Sequence, residues 1–132
     1  MKIIVVDDEP IIADTLVNIL RGEGHDAFAV SKGEAAISLT KLMRPAQPDL
    51  LVTDVIMPGM NGVETAKEMV KIVPNCRIIL FSGQAESTNL VSKAEAEGYF
   101  FEILAKPVNP DILLATINRG QARVRVTGSL AS

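Results

Sequence analysis

The sequence predicts an α/β fold in which five βα units form a doubly wound, five-stranded parallel sheet. Short runs of β-branched and other apolar residues alternate along the chain with longer segments whose apolar residues recur at helical spacing. The chain has 132 residues, of which 48% are hydrophobic and 22% are charged, so it can bury one core of ordinary size. We therefore expect a single domain with helices on both faces of the sheet.

Five apolar runs are typical of strands that are buried on both faces. Each run is far shorter than the roughly twenty apolar residues that a membrane-spanning helix needs. The first run meets Asp7 and Asp8 too soon to be a signal peptide. We expect no membrane segment and a cytoplasmic location. The predicted strands cover residues 3–6, 27–30, 50–53, 78–81 and 100–105.

The segments between these runs have the apolar spacing of amphipathic helices. Ser31 and Glu34 have the spacing of a capping box at the start of the second helix. Asn109 places a capping side chain directly before Pro110, which suits the first helical position. The predicted helices begin near residues 10, 33, 63, 87 and 110.

Charge and cysteine content exclude several classes of function. Thirteen Lys and Arg against sixteen Asp and Glu give a net charge of −3, which argues against direct binding of nucleic acid along a cationic surface. One cysteine and one histidine exclude a disulfide within the chain and a His/Cys metal cluster. We predict one domain over residues 1–123 and a disordered tail over residues 124–132, where small residues dominate.

Polar residues follow four of the five predicted strands. The carboxyl ends of parallel strands lie at one edge of the sheet, which is where ligands bind. Carboxylates that converge there repel one another unless one is protonated or a cation lies among them. A donor set made only of oxygen favours Mg²⁺. The residues are Asp7 and Asp8 after the first strand, Asp54 after the third, Ser82 after the fourth, and Lys106 with Pro107 after the fifth.

Together these side chains describe a pocket for a phosphoryl group. A dication, the Lys106 ammonium and the Ser82 hydroxyl would stabilise its oxygens, and Asp54 is the best candidate for a nucleophile that forms an acyl phosphate. Each residue taken singly has an ordinary explanation as a helix cap, a turn residue or a solvated charge. Their coincidence at one sheet edge favours a functional site.

Over residues 2–118 the chain resembles the receiver domain of two-component response regulators. The resemblance rests on the Asp7-Asp8 pair, the stretch DVIMPGMNG from Asp54 to Gly62, Ser82-Gly83 and Lys106-Pro107. It implies a flavodoxin-like sheet with strand order 2-1-3-4-5. Because no segment of domain size follows the fifth helix, it also implies a stand-alone receiver.

The resemblance implies that Asp54 is the phosphoacceptor. Its phosphoryl group would come from a histidine kinase or a histidine phosphotransfer protein, in a reaction that requires Mg²⁺. The carboxylates of Asp7, Asp8 and Asp54 and the backbone carbonyl of Ile56 would bind the metal, Asp7 largely through water. The protein would catalyse only its own phosphorylation and dephosphorylation.

The resemblance also implies a switch. Ser82 and Lys106 would bind phosphoryl oxygens, and the Lys106–Pro107 peptide bond would be cis. A phosphoryl group adds about −1.5 to −2 charge, which would shift an existing equilibrium between two surface arrangements. The fourth helix, fifth strand and fifth helix would present the changed surface to an output protein.

Three positions bear on how such a switch works in this chain. Ile103 stands three residues before the lysine, where members of the family commonly carry Tyr or Phe, so the route of coupling stays open. Ile56 and Gln84 stand where the family tunes the lifetime of the phosphoaspartate. The register of the fifth strand is also open.

The sequence leaves two alternatives to phosphorylation-dependent signalling. The first is a degenerate receiver that binds partners without being phosphorylated, against which the complete acidic set argues. The second is a phosphatase that acts on a small molecule through an aspartyl phosphate. It would need a general acid and a cap over the substrate. Ile56 stands where a second Asp would be expected, and no insertion is long enough to form a cap.

Overall fold

The structure is a computed structural model that describes residues 1–83 and 85–119. The predictions made for Gln84, for a domain boundary at residue 123 and for a tail over residues 124–132 lie outside these described residues. The strands are β1 (Lys2–Val6), β2 (Asp26–Val30), β3 (Leu50–Asp54), β4 (Arg77–Ser82) and β5 (Glu102–Ala105). They form one parallel sheet in the order β2-β1-β3-β4-β5, which confirms the predicted fold class and strand order.

Five helices connect and follow these strands, and each begins within two residues of its predicted start. The carboxamide of Asn109 accepts a hydrogen bond of 2.8 Å from the backbone N–H of Asp111, as its place before Pro110 predicts. The helices are α1 (Pro10–Gly22), α2 (Gly33–Leu42), α3 (Gly62–Ile72), α4 (Ala85–Ala96) and α5, which covers the described residues 110–119.

The sheet has an apolar layer on each face. Alternate residues of a strand point to opposite faces, so Ile4 and Leu51 pack under α2, α3 and α4, whereas Ile3 and Leu50 pack under α1 and α5. Every residue of β3 is buried. The carboxyl end of β3 is therefore held from both sides of the sheet.

The predicted capping box at the start of α2 is wrong. The helix begins one residue later than the box requires, so Lys32 is the N-cap and makes no capping bond with its side chain. Ser31 and Glu34 are then in the wrong positions to bond reciprocally. A capping box forms instead at α3, where the Asn61 side chain accepts from the Glu64 N–H and the Glu64 carboxylate accepts from the Asn61 N–H.

The predicted fifth strand over residues 100–105 is too long. β5 begins at Glu102, which lies opposite Ile79 in the parallel ladder. The ring of Phe101 packs 5.9 Å from that of Tyr99 against the α3 and α4 side of the core, and Phe100 is 77% exposed. These aromatic residues therefore precede the strand, and Ile103 lies opposite Leu80.

A helix must be about twenty residues long and largely apolar to cross a bilayer. Within residues 1–83 and 85–119, no helix could cross a membrane.

Candidate functional site

Three carboxylates meet at the carboxyl edge of the sheet. Val6 and Thr53 are opposite each other in neighbouring strands, so the next residues, Asp7 and Asp54, follow β1 and end β3 side by side. One carboxylate oxygen from each of Asp7, Asp8 and Asp54 can be chosen so that all three lie within 4.8 Å of one another. Asp7 and Asp54 are each 1% exposed, whereas Asp8 is exposed.

Two of these carboxylates are buried with few hydrogen-bond donors. Asp7 Oδ1 accepts a bond of 2.9 Å from the backbone N–H of Glu9. Among the described residues, Asp7 Oδ2 and both carboxylate oxygens of Asp54 accept no hydrogen bond. Buried anionic oxygens without donors are costly, and a cation placed among them would offset that cost.

Lys106 supplies a positive charge beside this cluster. Its Nζ lies 3.1 Å from Asp54 Oδ1, an ion pair whose orientation falls short of a hydrogen bond. Burial lowers the pKa of Lys106, but the negative charges of Asp54 and Asp7 outweigh that effect and leave this pKa above its usual value. The ammonium therefore stays charged while its side chain remains 35% exposed.

Burial controls the charge of Asp54. Loss of solvent is the largest cause that raises the pKa of this carboxyl to about 6; the Lys106 ammonium opposes the rise and the neighbouring Asp7 carboxylate adds to it. Asp54 is mainly ionised at neutral pH, yet it holds a proton far more readily than an exposed aspartate. This is the electrostatic condition expected of an acidic cluster that binds a cation.

Ser82 ends β4, but its hydroxyl is directed to a serine of α4. Ser82 Oγ lies 2.5 Å from Ser87 Oγ, and Ser87 is 1% exposed. Sequence reasoning missed Ser87, because no pattern distinguishes it from Ser92, the other serine of the same helix. The two hydroxyls link the end of β4 to the first turns of α4.

The loop between β3 and α3 folds back tightly on the end of β3, and this turn requires glycine at position 62. The Gly62 N–H donates a bond of 2.8 Å to the Val55 carbonyl, and a Cβ at Gly62 would lie 1.9 Å from the Asp54 carbonyl oxygen. Only glycine allows the chain to pass so close. The enclosed loop carries Ile56, whose half-buried side chain packs against the α3 side of the core.

The structure thus brings Asp7, Asp8, Asp54 and Lys106 together, and it directs Ser82 toward α4. The Lys106–Pro107 peptide bond is cis. Ile103 lies on β5 and is 42% exposed. Among the described residues, Asp7 Oδ2 and both carboxylate oxygens of Asp54 accept no hydrogen bond and the cluster consists of carboxylates alone, which fits a hard dication better than a transition metal.

Comparison with known proteins agrees with this geometry. The model of the response regulator receiver domain family matches residues 3–118, and the chain therefore belongs to this family. Receiver domains are signalling modules that interact with histidine kinases and output proteins and bind Mg²⁺ at an acidic cluster.

Some relatives are about twice as long as the region that this chain matches, and others are matched over almost their whole length. The chain is 31% identical over 126 residues to the DNA-binding response regulator MtrA of Mycolicibacterium smegmatis, covering 94% of this chain and 50% of that protein. It is 28% identical over 119 residues to the chemotaxis protein CheY of Thermotoga maritima, covering 89% of this chain and 95% of that protein. The chain thus spans about half the length of the MtrA relatives that it matches.

Among solved structures, the chain is similar to a response regulator receiver domain protein from Clostridium thermocellum. The two share 28% sequence identity with a TM-score of 0.79, over 96% of this chain and 98% of the other. The fold and the arrangement of the strands are therefore those of a receiver domain.

Proposed function

We propose that this chain accepts a phosphoryl group on Asp54 and thereby switches a protein-binding surface. The donor is the phosphohistidine of a histidine kinase or of a histidine phosphotransfer protein. The observation that supports this most directly is the state of Asp54. It is 1% exposed, lacks hydrogen-bond donors among the described residues, and has Lys106 Nζ 3.1 Å from Oδ1. A buried carboxylate that is mainly ionised at neutral pH and accepts no hydrogen bond is available as a nucleophile.

In the proposed reaction, a carboxylate oxygen of Asp54 forms a bond to phosphorus. The nitrogen–phosphorus bond of the donor breaks, and the imidazole leaves with the electron pair. The product is an acyl phosphate on Asp54. Lys106, which pairs with the free carboxylate, would pair with a phosphoryl oxygen once that oxygen carries the negative charge.

We propose that Mg²⁺ is required. The carboxylates of Asp7, Asp8 and Asp54 and the backbone carbonyl of Ile56 would hold it, and when bound it would neutralise charge on the phosphoryl oxygens. Asp7 and Asp54 contribute the three buried oxygens that lack a donor among the described residues. Asp8 is exposed and can reach the same ion from solvent.

The output of this switch is proposed to be a contact with another protein. The surface formed by α4, β5 and α5 exposes Ile103 at 42% and Ile112 at 53%. Exposed apolar side chains on two elements of this proposed surface support a protein as the proposed partner. The net charge of −3 gives no reason to propose direct contact with nucleic acid. Ile56 and Gln84 are proposed to tune how long the phosphoryl group lasts.

Intact-mass measurement after incubation with acetyl phosphate or phosphoramidate tests this function. The wild type should gain one phosphoryl group with Mg²⁺ and none with EDTA. Asp54→Asn should gain none, and Asp111→Asn, a matched change at an exposed aspartate, should behave as the wild type. A folded wild-type protein that gains nothing, or equal labelling of Asp54→Asn, would make a phosphorylation-independent binding module the better explanation.

A further inference from the structure

We propose that residues 120–126, which follow α5, dock in a cleft beside the phosphorylation site and thereby slow the phosphorylation of Asp54. The cleft lies between α1 and the loop that joins β5 to α5, and its volume is about 320 Å³. Residues 120–126 lie outside the described residues. The docking stands apart from the proposed function, whereas its effect on phosphorylation rests on that function.

The cleft has apolar walls that are open to solvent. Ile11 of α1 is 81% exposed and Ile12 is 37% exposed, and both line the cleft. The loop before α5 contributes Pro107 and Val108. Covering such side chains with another apolar group removes their surface from water, which is favourable. The cleft therefore suits small aliphatic side chains.

Where the cleft meets the site, negative charge is in excess. Asp7 lines the cleft, and its buried Oδ2 accepts no hydrogen bond among the described residues. Asp8 is exposed beside it. Lys106 also lines the cleft, but its Nζ is already paired with Asp54. A further cation would be attracted to this end of the cleft.

The segment after α5 combines both kinds of side chain. Arg123, Val124, Arg125 and Val126 alternate cationic and β-branched residues, and residues 120–132 contain no Asp or Glu. Alternate side chains of an extended segment lie on opposite sides, so both valines could cover the apolar walls while both guanidinium groups stay at the rim. Guanidinium groups form strong, often two-pronged bonds with carboxylates.

The segment is long enough to reach the cleft. The carbonyls of Thr116 and Ile117 accept bonds from Arg77 at the start of β4, so α5 ends at the amino edge of the sheet. At 1.5 Å per residue, a helix over residues 110–119 leads about 15 Å away from the carboxyl edge. Residues 120–125, extended at about 3.3 Å each, can return about 20 Å. Arg125 can therefore reach the carboxylates.

The same alternation is typical of a strand, but handedness disfavours a sixth parallel strand beside β5. Helices α1 and α5 pack on the same face of the sheet. The connection through α1 leads from β1 to β2, toward one edge of the sheet. A connection through α5 to the outer side of β5 would run the opposite way on that face and would be left-handed, which is rare.

Paramagnetic broadening of backbone amides tests the contact in the full chain. A spin label is attached at Thr127→Cys, and Cys76 stays in place because it is only 6% exposed. The amides of Ile11 and Thr15, which line the cleft, should broaden. The amide of Lys71 in α3, on the other face of the sheet, should not.

A charge variant shows whether the arginines hold the segment. Arg123→Gln combined with Arg125→Gln should remove most of the broadening. It should also be labelled about 2- to 5-fold faster by acetyl phosphate with Mg²⁺, because docking reduces the fraction of chains whose site is open. Lys41→Gln combined with Arg44→Gln removes the same charge at two exposed positions and should match the wild type in both measurements.

Each measurement can fail separately. If the amides of α1 do not broaden, or broaden equally without the two arginines, the docking is overturned and a partner protein or a small ligand becomes the better occupant. Equal labelling rates would overturn the effect on phosphorylation. A chain that takes no phosphoryl group in any variant would overturn the proposed function, and the broadening would still decide whether the segment docks.

Discussion

Arg77 and Glu102 form a two-pronged ion pair across the beginnings of β4 and β5. Arg77 Nε and Nη2 lie 2.5 and 2.7 Å from the two carboxylate oxygens of Glu102. The same guanidinium donates bonds of 2.7 and 2.6 Å to the carbonyls of Thr116 and Ile117 in α5. One side chain thus fixes the strand before Lys106 and the helix after it. The place of Lys106 beside Asp54 depends on a contact at the opposite end of the sheet.

Replacement of Arg77 should therefore be costly. The Arg77 side chain is 12% exposed and that of Glu102 is 28% exposed, so Arg77→Ala leaves a carboxylate and two carbonyls in a poorly solvated position. We expect the free energy of unfolding in urea to fall by about 2–4 kcal/mol. Lys71→Ala, which removes an exposed ion pair, should have a much smaller effect on the free energy of unfolding. Equal losses for both variants would contradict this account.

Gly62→Ala should disrupt the loop behind Asp54. A Cβ at that position would lie 1.9 Å from the Asp54 carbonyl oxygen, which is backbone and cannot move aside cheaply. We expect a loss of at least about 2 kcal/mol in the free energy of unfolding. At Gly22 a Cβ meets nothing within 4 Å, so Gly22→Ala should be neutral or stabilising by up to about 1 kcal/mol. A Gly62→Ala protein as stable as Gly22→Ala would refute the close approach.

Without Mg²⁺, the protein should become more stable relative to Asp54→Asn as the solution is acidified. Burial raises the pKa of Asp54 to about 6 in the folded protein, from 3.8 in the unfolded chain. Between these values the folded state binds the extra proton. The difference in unfolding free energy between wild type and Asp54→Asn should then shift in favour of the wild type by about 2–3 kcal/mol from pH 7 to pH 4. A difference independent of pH would show that Asp54 is not desolvated.

Mg²⁺ should stabilise the folded chain, since Asp7 Oδ2 and both carboxylate oxygens of Asp54 are buried and accept no hydrogen bond among the described residues. At a concentration of one hundred times its dissociation constant, Mg²⁺ should add about 2.7 kcal/mol to the free energy of unfolding. Thermal unfolding with Mg²⁺ and with EDTA measures the effect. Asp8→Asn should weaken it, whereas Asp111→Asn should leave it unchanged. Equal stabilisation of the Asp8 and Asp111 variants would remove Asp8 from the set of ligands.

Much of the site could be predicted because strand ends are visible in the sequence. Apolar runs that stop at Asp7, Asp54 and Lys106 place these residues at one edge of a parallel sheet, and the structure brings their side chains together. The start of β5 could not be predicted in this way. The hydrophobic pattern predicts which residues are buried. It does not predict that the ring of Phe101 packs near that of Tyr99 or that Glu102 lies opposite Ile79.

The direction of the Ser82 side chain could not be predicted from the sequence either. The end of β4 identifies Ser82 as a residue of the site, but its hydroxyl points to Ser87. That choice depends on where α4 begins and on the rotation of one bond. The misplaced capping box has a similar origin, because Lys32 rather than Ser31 became the N-cap and a shift of one residue breaks the reciprocal bonds.

Asp54 belongs to the middle strand of five, and every residue of that strand is buried. A group added to its side chain would therefore be attached to a strand that is enclosed on both faces and paired along both edges. Its neighbours Ser82 and Lys106 belong to the outer half of the sheet, and the Lys106 side chain is 35% exposed. Under the proposed function, a chemical change on this buried central strand would be answered by movement of these outer neighbours.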